Sequence, residues 1–224
     1  MSLLRTAWVV ASHDLANELR RPVAASAVLL FGCCSLVVLR LALAGGGRPS
    51  SAVLAGAHWV VLVFAGLLGT ARAWGAERED GAYDALLASP ASRAAVHVGK
   101  VLAALVTTLV LDAVLLGLYL ALFSAPDLVG TALLVAAVVL AAGGFAAVGV
   151  LVSGLGLRAR GRDLLGPTMF LPLAIPLVIA AVTLSLVAFD AGTGSEAQLL
   201  LFLVAYDATF LVAGIAAFPE LAVD

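Results

Sequence analysis

Glu77, Asp80 and Asp84 follow one another at spacings of three and four residues. A helix through them carries all three carboxylates on one face. Such a group holds a divalent cation when further oxygens complete the shell, but no histidine or second acidic segment accompanies this one. The chemistry that remains is recognition. Tyr83, Leu86 and Leu87 form an apolar strip beside the acids, Trp74 precedes them, Gly81 bends or caps the first turn, and Pro90 follows. A connector between two membrane spans needs only a few residues. The stretch from Trp74 to Lys100 is far longer, and its acidic face and leucine strip fit a docking element gripped by another protein. Gly99-Lys100 lacks the upstream Gly and the following Ser or Thr of a phosphate-binding loop, so the chain does not hold ATP by that route.

A second set of chemically capable residues lies inside apolar runs: Arg40, His58, Asp112 and Asp207. Ionisable groups within the membrane are costly and mark functional or tightly paired positions. Their distances from the span ends place them in the outer half of the bundle, where the carboxylates are expected to meet Arg40, His58 or Tyr206, or to line a wet cavity. His58 beside Trp59 also has the chemistry of an axial haem ligand, although a histidine next to a tryptophan at an interface is commonly a belt residue.

The elements that must position these groups follow from composition. The 224 residues are 63% hydrophobic and 12% charged, half the charge of a soluble domain, and apolar runs of membrane length recur. The chain is therefore expected to be an all-α, polytopic membrane protein. The net charge of −2 and the lack of a large basic cluster give no nucleic-acid partner. Cys33 and Cys34 are adjacent and read as packing residues rather than a disulfide.

Residues 1–22 read as an amphipathic helix lying on the inner membrane surface, with Leu4, Trp8, Ala11, Leu15 and Leu19 on its apolar face. Six spans are expected at 23–44, 52–73, 101–123, 128–152, 166–189 and 199–218, within one transmembrane domain covering 1–224. Ser89-Pro90 reads as the start of a helix that runs on into the third span. Arg93, His97 and Lys100 fall on one side of it, suited to anionic phospholipid or an acidic partner. Arg40 and Arg48 are the only cations this layout puts outside, so both termini are expected in the cytoplasm. Pro172 and Pro176 remove backbone donors within the fifth span and predict a hinge. Gly143, Gly144 and Gly149 suit close helix packing in the fourth.

The pattern Trp74-x-x-Glu77-x-x-Asp80-Gly81-x-x-Asp84-x-Leu86-Leu87-x-Ser89-Pro90, followed by Gly99-Lys100, resembles the central signature of the cytochrome c maturation protein B family. Leu171-Pro172-Leu173-x-Ile175-Pro176-Leu177 is similar to that family's LPLxIP segment. The chain departs from the pattern at Ala71, where the family often has an acid, and at Trp74 and Tyr83, which keep size and apolarity.

The resemblance implies the permease subunit of a haem-handling ABC transporter of the type-2 exporter fold, in the bacterial inner membrane. It is a non-enzymatic subunit, paired with a second copy of itself, with ATP held by a separate ATPase. Residues 74–100 would be the coupling segment seated in that ATPase. Haem would be a substrate of the complex rather than a cofactor of this chain. Further partners implied are a haem-binding membrane protein, a small tether protein, a periplasmic haem chaperone and membrane lipids. The alternative is a related permease exporting lipid, drug or glycan. A membrane-embedded enzyme, such as a lipid transferase, and a non-transporting scaffold fit the residues less well.

Overall fold

The computed structural model describes residues 3–20, 22–46, 49–70, 92–123, 125–155, 162–190 and 195–221. Among them the chain is all helical, with seven α-helices and no strand. These are α1 (Leu3–Arg20), α2 (Val23–Leu43), α3 (Ser51–Thr70), α4 (Arg93–Leu122), α5 (Leu128–Leu155), α6 (Arg162–Ala188) and α7 (Glu196–Leu221). A short 3-10 turn, Ala44–Gly46, follows α2. Six of the helices are long and apolar enough to cross a membrane, as expected.

Small polar residues start α3 and α5 where the sequence changes from loop to apolar run. Ser50 Oγ accepts from the Val53 N–H at 3.3 Å. Asp127 Oδ1 accepts from the Gly130 N–H at 2.7 Å. Each satisfies a donor that the first helical turn leaves unpaired. Ser92 is extended and precedes Arg93, so the helix entering the third span begins at Arg93. Ser89 and Pro90, the expected start, lie outside the described residues.

The third span differs most from its expected bounds. α4 has 30 residues, roughly 45 Å at ~1.5 Å per residue, against a ~30 Å hydrocarbon core. Its first two turns therefore extend beyond the expected span start at residue 101. The amphipathic α1 packs on that extension.

α5 occupies the centre of the bundle: 67% of its membrane window is buried within the protein, against 17% for α2 and 17% for α7. Its Leu134, Ala137, Ala141, Phe145 and Val148 join a core with Leu62 and Trp59 of α3, Leu115 and Tyr119 of α4, Leu177 and Leu184 of α6, and Leu203 of α7. Val23, Leu30 and Leu41 of α2 and Leu201 and Val212 of α7 are exposed, as lipid-facing positions should be. Cys33 packs half-buried against the core, Cys34 is exposed, and both are free thiols.

Candidate functional site

The docking residues singled out in the sequence, Trp74, Glu77, Asp80, Gly81, Tyr83, Asp84, Leu86, Leu87 and Pro90, lie outside the described residues. What is described is the helix that leaves this segment. Near its N-terminal end, Lys100 Nζ lies 2.9 Å from Asp14 Oδ2 of α1, with Lys100 only 3% exposed. One residue earlier, a Cβ on Gly99 would stand 2.6 Å from the Ala7 carbonyl oxygen and 2.7 Å from Val10 Cβ. Glycine is what lets the two helices meet this closely.

Two readings of the sequence change here. Ala11 is buried with Ala7 instead of sharing the exposed face with Leu4, Trp8 and Leu19. Lys100 and His97 are also turned into the protein, away from phospholipid. His97 is 1% exposed, packs on Phe218 at 5.7 Å between ring centroids, and abuts Gly214 of α7. The reason is the same for both residues. At its N-terminal end α4 is flanked by α1 and α7, so the side expected to face lipid or an acidic partner is covered by helices.

In the membrane interior the structure separates the four ionisable residues. Arg40 Nε donates to the Leu122 carbonyl at 2.9 Å, placing a cation at the negative end of α4. His58 is 1% exposed and rests on the Tyr119 ring at 4.8 Å between centroids. Its two ring nitrogens meet no hydrogen-bond partner. Trp59 Nε1 donates to Ser185 Oγ at 2.8 Å, which donates in turn to the Ala181 carbonyl at 2.9 Å. The Tyr119 hydroxyl donates to the Leu54 carbonyl at 2.7 Å. Trp59, Tyr119 and Ser185 thus tie the first half of α3 to the C-terminal ends of α4 and α6. Among the described residues, no ion pair joins Arg40 or His58 to Asp112 or Asp207.

Asp112 is 2% exposed on α4, about 10 Å along the helix from Tyr119 at ~1.5 Å per residue. Its Oδ2 meets no partner. Asp207 sits elsewhere, on the glycine pair of α5. A Cβ on Gly143 would stand 2.5 Å from Asp207 Oδ2, and one on Gly144 would stand 2.9 Å from Asp207 Oδ1 and 2.6 Å from Leu177 Cδ2. Tyr206, expected as a partner for the carboxylates, instead donates its hydroxyl to the Leu173 carbonyl of α6 at 2.5 Å. Leu173 and Leu177 belong to the proline segment, so that segment meets Tyr206, Asp207 and the glycine pair at one level. Pro172 and Pro176 themselves face outward, on the side of α6 opposite buried Ala174 and Leu177.

Sequence reasoning did not anticipate the Asp14–Lys100 pair, the Trp59–Ser185 bond or the Tyr206–Leu173 bond. Each joins residues far apart in the chain. Only the amphipathic pattern around Asp14 and the Leu-Pro-Leu repeat gave a local sign of them. No group of three or more His, Cys, Asp or Glu side chains gathers as a metal site among the described residues.

Comparison with curated protein sequences gives no match. A family model described as CcmB protein matches residues 5–223, which takes in both the central acidic signature and the proline segment of α6. With six helices of membrane length and nearly the whole chain inside the match, the protein belongs to the CcmB family.

Proposed function

We propose that the chain is the permease subunit of an ABC transporter complex required for haem export or delivery during c-type cytochrome biogenesis. The observation that carries this reading is the CcmB family match, which spans residues 5–223 rather than a fragment. In this reading the chain hydrolyses nothing itself. A separate ATPase grips the 74–100 segment through the acidic face of Glu77, Asp80 and Asp84 and the strip of Tyr83, Leu86 and Leu87, flanked by Trp74, Gly81 and Pro90. α4 leaves this segment directly, and α1, α5 and α7 pack on it, which gives motion a path into the bundle. Pro172 and Pro176 leave α6 short of two helix donors, so it bends there with less loss than elsewhere. The complex sits in the bacterial inner membrane with both termini in the cytoplasm. It holds a second copy of this chain and works beside a haem-binding membrane protein, a tether protein and a periplasmic haem chaperone. Haem is cargo.

Deletion of the gene tests the reading, combined with purification of the tagged chain from its native membrane. The expected result is loss of c-type cytochromes and recovery of a bound ATPase whose turnover falls on Glu77→Ala plus Asp84→Ala. Normal cytochromes in the deletion strain, with accumulation of a lipid or glycan in the cytoplasm, would replace haem handling by export of that substrate.

A further inference from the structure

Pro172 and Pro176 of the fifth span stand at a spacing of four, and both are exposed, away from the core. Pro176 brings no N–H to the carbonyl four residues before it, and its ring crowds the carbonyls of the preceding turn. Leu173, three residues before Pro176, lies in that turn. Its carbonyl accepts the Tyr206 hydroxyl at 2.5 Å. Tyr206 thus binds at the point where α6 bends most easily, from a helix that is otherwise among the least buried of the spans.

The neighbouring residue seats the same helix beside the proline segment, over the small residues of α5. Asp207 lies over Gly143 and Gly144, and Leu177 shares the space above Gly144. Any side chain on Gly144 would occupy the volume of both. Tyr206 also stacks among Phe202 and Phe210 of its own helix, with ring centroids at 6.3 and 4.6 Å. The phenol ring is therefore held by packing, while its hydroxyl contacts α6.

We propose that the Tyr206 hydroxyl, with Asp207 seated on the Gly143–Gly144 pair, ties the sixth span to the hinge of the fifth, so that bending at Pro172–Pro176 carries α7 along with α6. This rests on the ATPase-coupled reading above. It adds the identity of the second moving element and names Tyr206 as the positioning residue that recruits it. Without the hydroxyl, α6 bends alone. The aromatic packing of α7 is kept, because a phenylalanine fills the same space.

The test uses the assembled complex with its ATPase, in a background with Cys33→Ala and Cys34→Ala, and with an excess of unlabelled permease. Spin labels at exposed Val60 of α3 and Ile179 of α6 report the hinge. Labels at Val60 and exposed Val204 of α7 report the sixth span. Trapping the ATPase with vanadate should change both distances in the parent protein. In Tyr206→Phe the Val60–Ile179 change should persist while the Val60–Val204 change falls to less than half. Gly144→Ala should do the same by displacing Leu177 and Asp207, and it serves as the second variant if Tyr206→Phe fails to assemble. Equal changes in parent and variants overturn the tie. No change in the parent at either pair overturns the coupled reading itself, and the tie with it.

Discussion

Lys100 is 3% exposed beside Asp14, 86 positions earlier in the chain. Each charge gave up water to reach this contact, and the attraction between the two offsets part of that loss. Removing one partner should therefore cost more than removing both. Asp14→Asn or Lys100→Met is expected to destabilise the α1–α4 contact by about 3 kcal/mol, and Asp14→Leu with Lys100→Met by clearly less. Thermal unfolding of the detergent-solubilised chain measures both, and an additive double variant would refute the pairing argument. His58 yields a second expectation. Its buried ring nitrogens lack partners, and an unpaired buried polar group costs roughly 1–3 kcal/mol. His58→Phe is expected to leave stability unchanged or raised and to keep cytochrome assembly. Loss of assembly with stability kept would make His58 a ligand. The sequence singled out His58, because an imidazole in an apolar run is visible locally, and it suited Lys100 to anionic phospholipid or an acidic partner. It could not show where either pointed, because Asp14, beside Lys100, lies on another helix.

Whole helices were more legible than contacts. Length and apolar runs gave six spans, since the bilayer imposes both. The turns of α4 ahead of residue 101 continue into the third span as one helix, as expected, but the helix starts at Arg93, after an extended Ser92. They exist to receive α1. Ala7 and Ala11 of α1 are buried, with the Ala7 carbonyl and Val10 against Gly99, while Leu4 and Trp8 stay exposed. This gives α1 two working faces, and the apolar pattern alone predicted one. Gly99→Leu should push α1 away without disturbing the six spans, since overpacking of this kind costs typically 1–3 kcal/mol. Hydrogen exchange is the measurement: amides of α1 are expected to exchange at least about tenfold faster, as ~1.4 kcal/mol corresponds to, with α5 unchanged. Equal slowing or equal acceleration in both helices would mean that Gly99 supports the bundle and not the α1 contact.

At the scale of the whole chain, the loop charges favour one direction through the membrane, and packing accommodates a cation that falls against it. In the six-span layout, ten of the twelve cations fall on the side of α1 and the α3–α4 connection, and Arg40 and Arg48 fall on the other. Arg40 is held there by the Leu122 carbonyl at the opposite end of α4 from Lys100. A cation at the exit of α2 would by itself pull that end inward. Binding to the last turn of α4 offsets the pull, since the carbonyl end of a helix attracts positive charge. The topology therefore has a folded-state contribution as well as the loop-charge bias. Fusions of a phosphatase that is active only outside the cytoplasm should be active after Gly46, Pro126 and Ser195, and inactive after Arg20, Leu155 and Leu221. Arg40→Leu should leave this pattern intact, because the inner cations remain, while lowering the thermal midpoint through the lost contact at Leu122. A phosphatase active after Leu155 would reverse the orientation, put the 74–100 segment outside the cytoplasm, and remove the site where an ATPase has to dock.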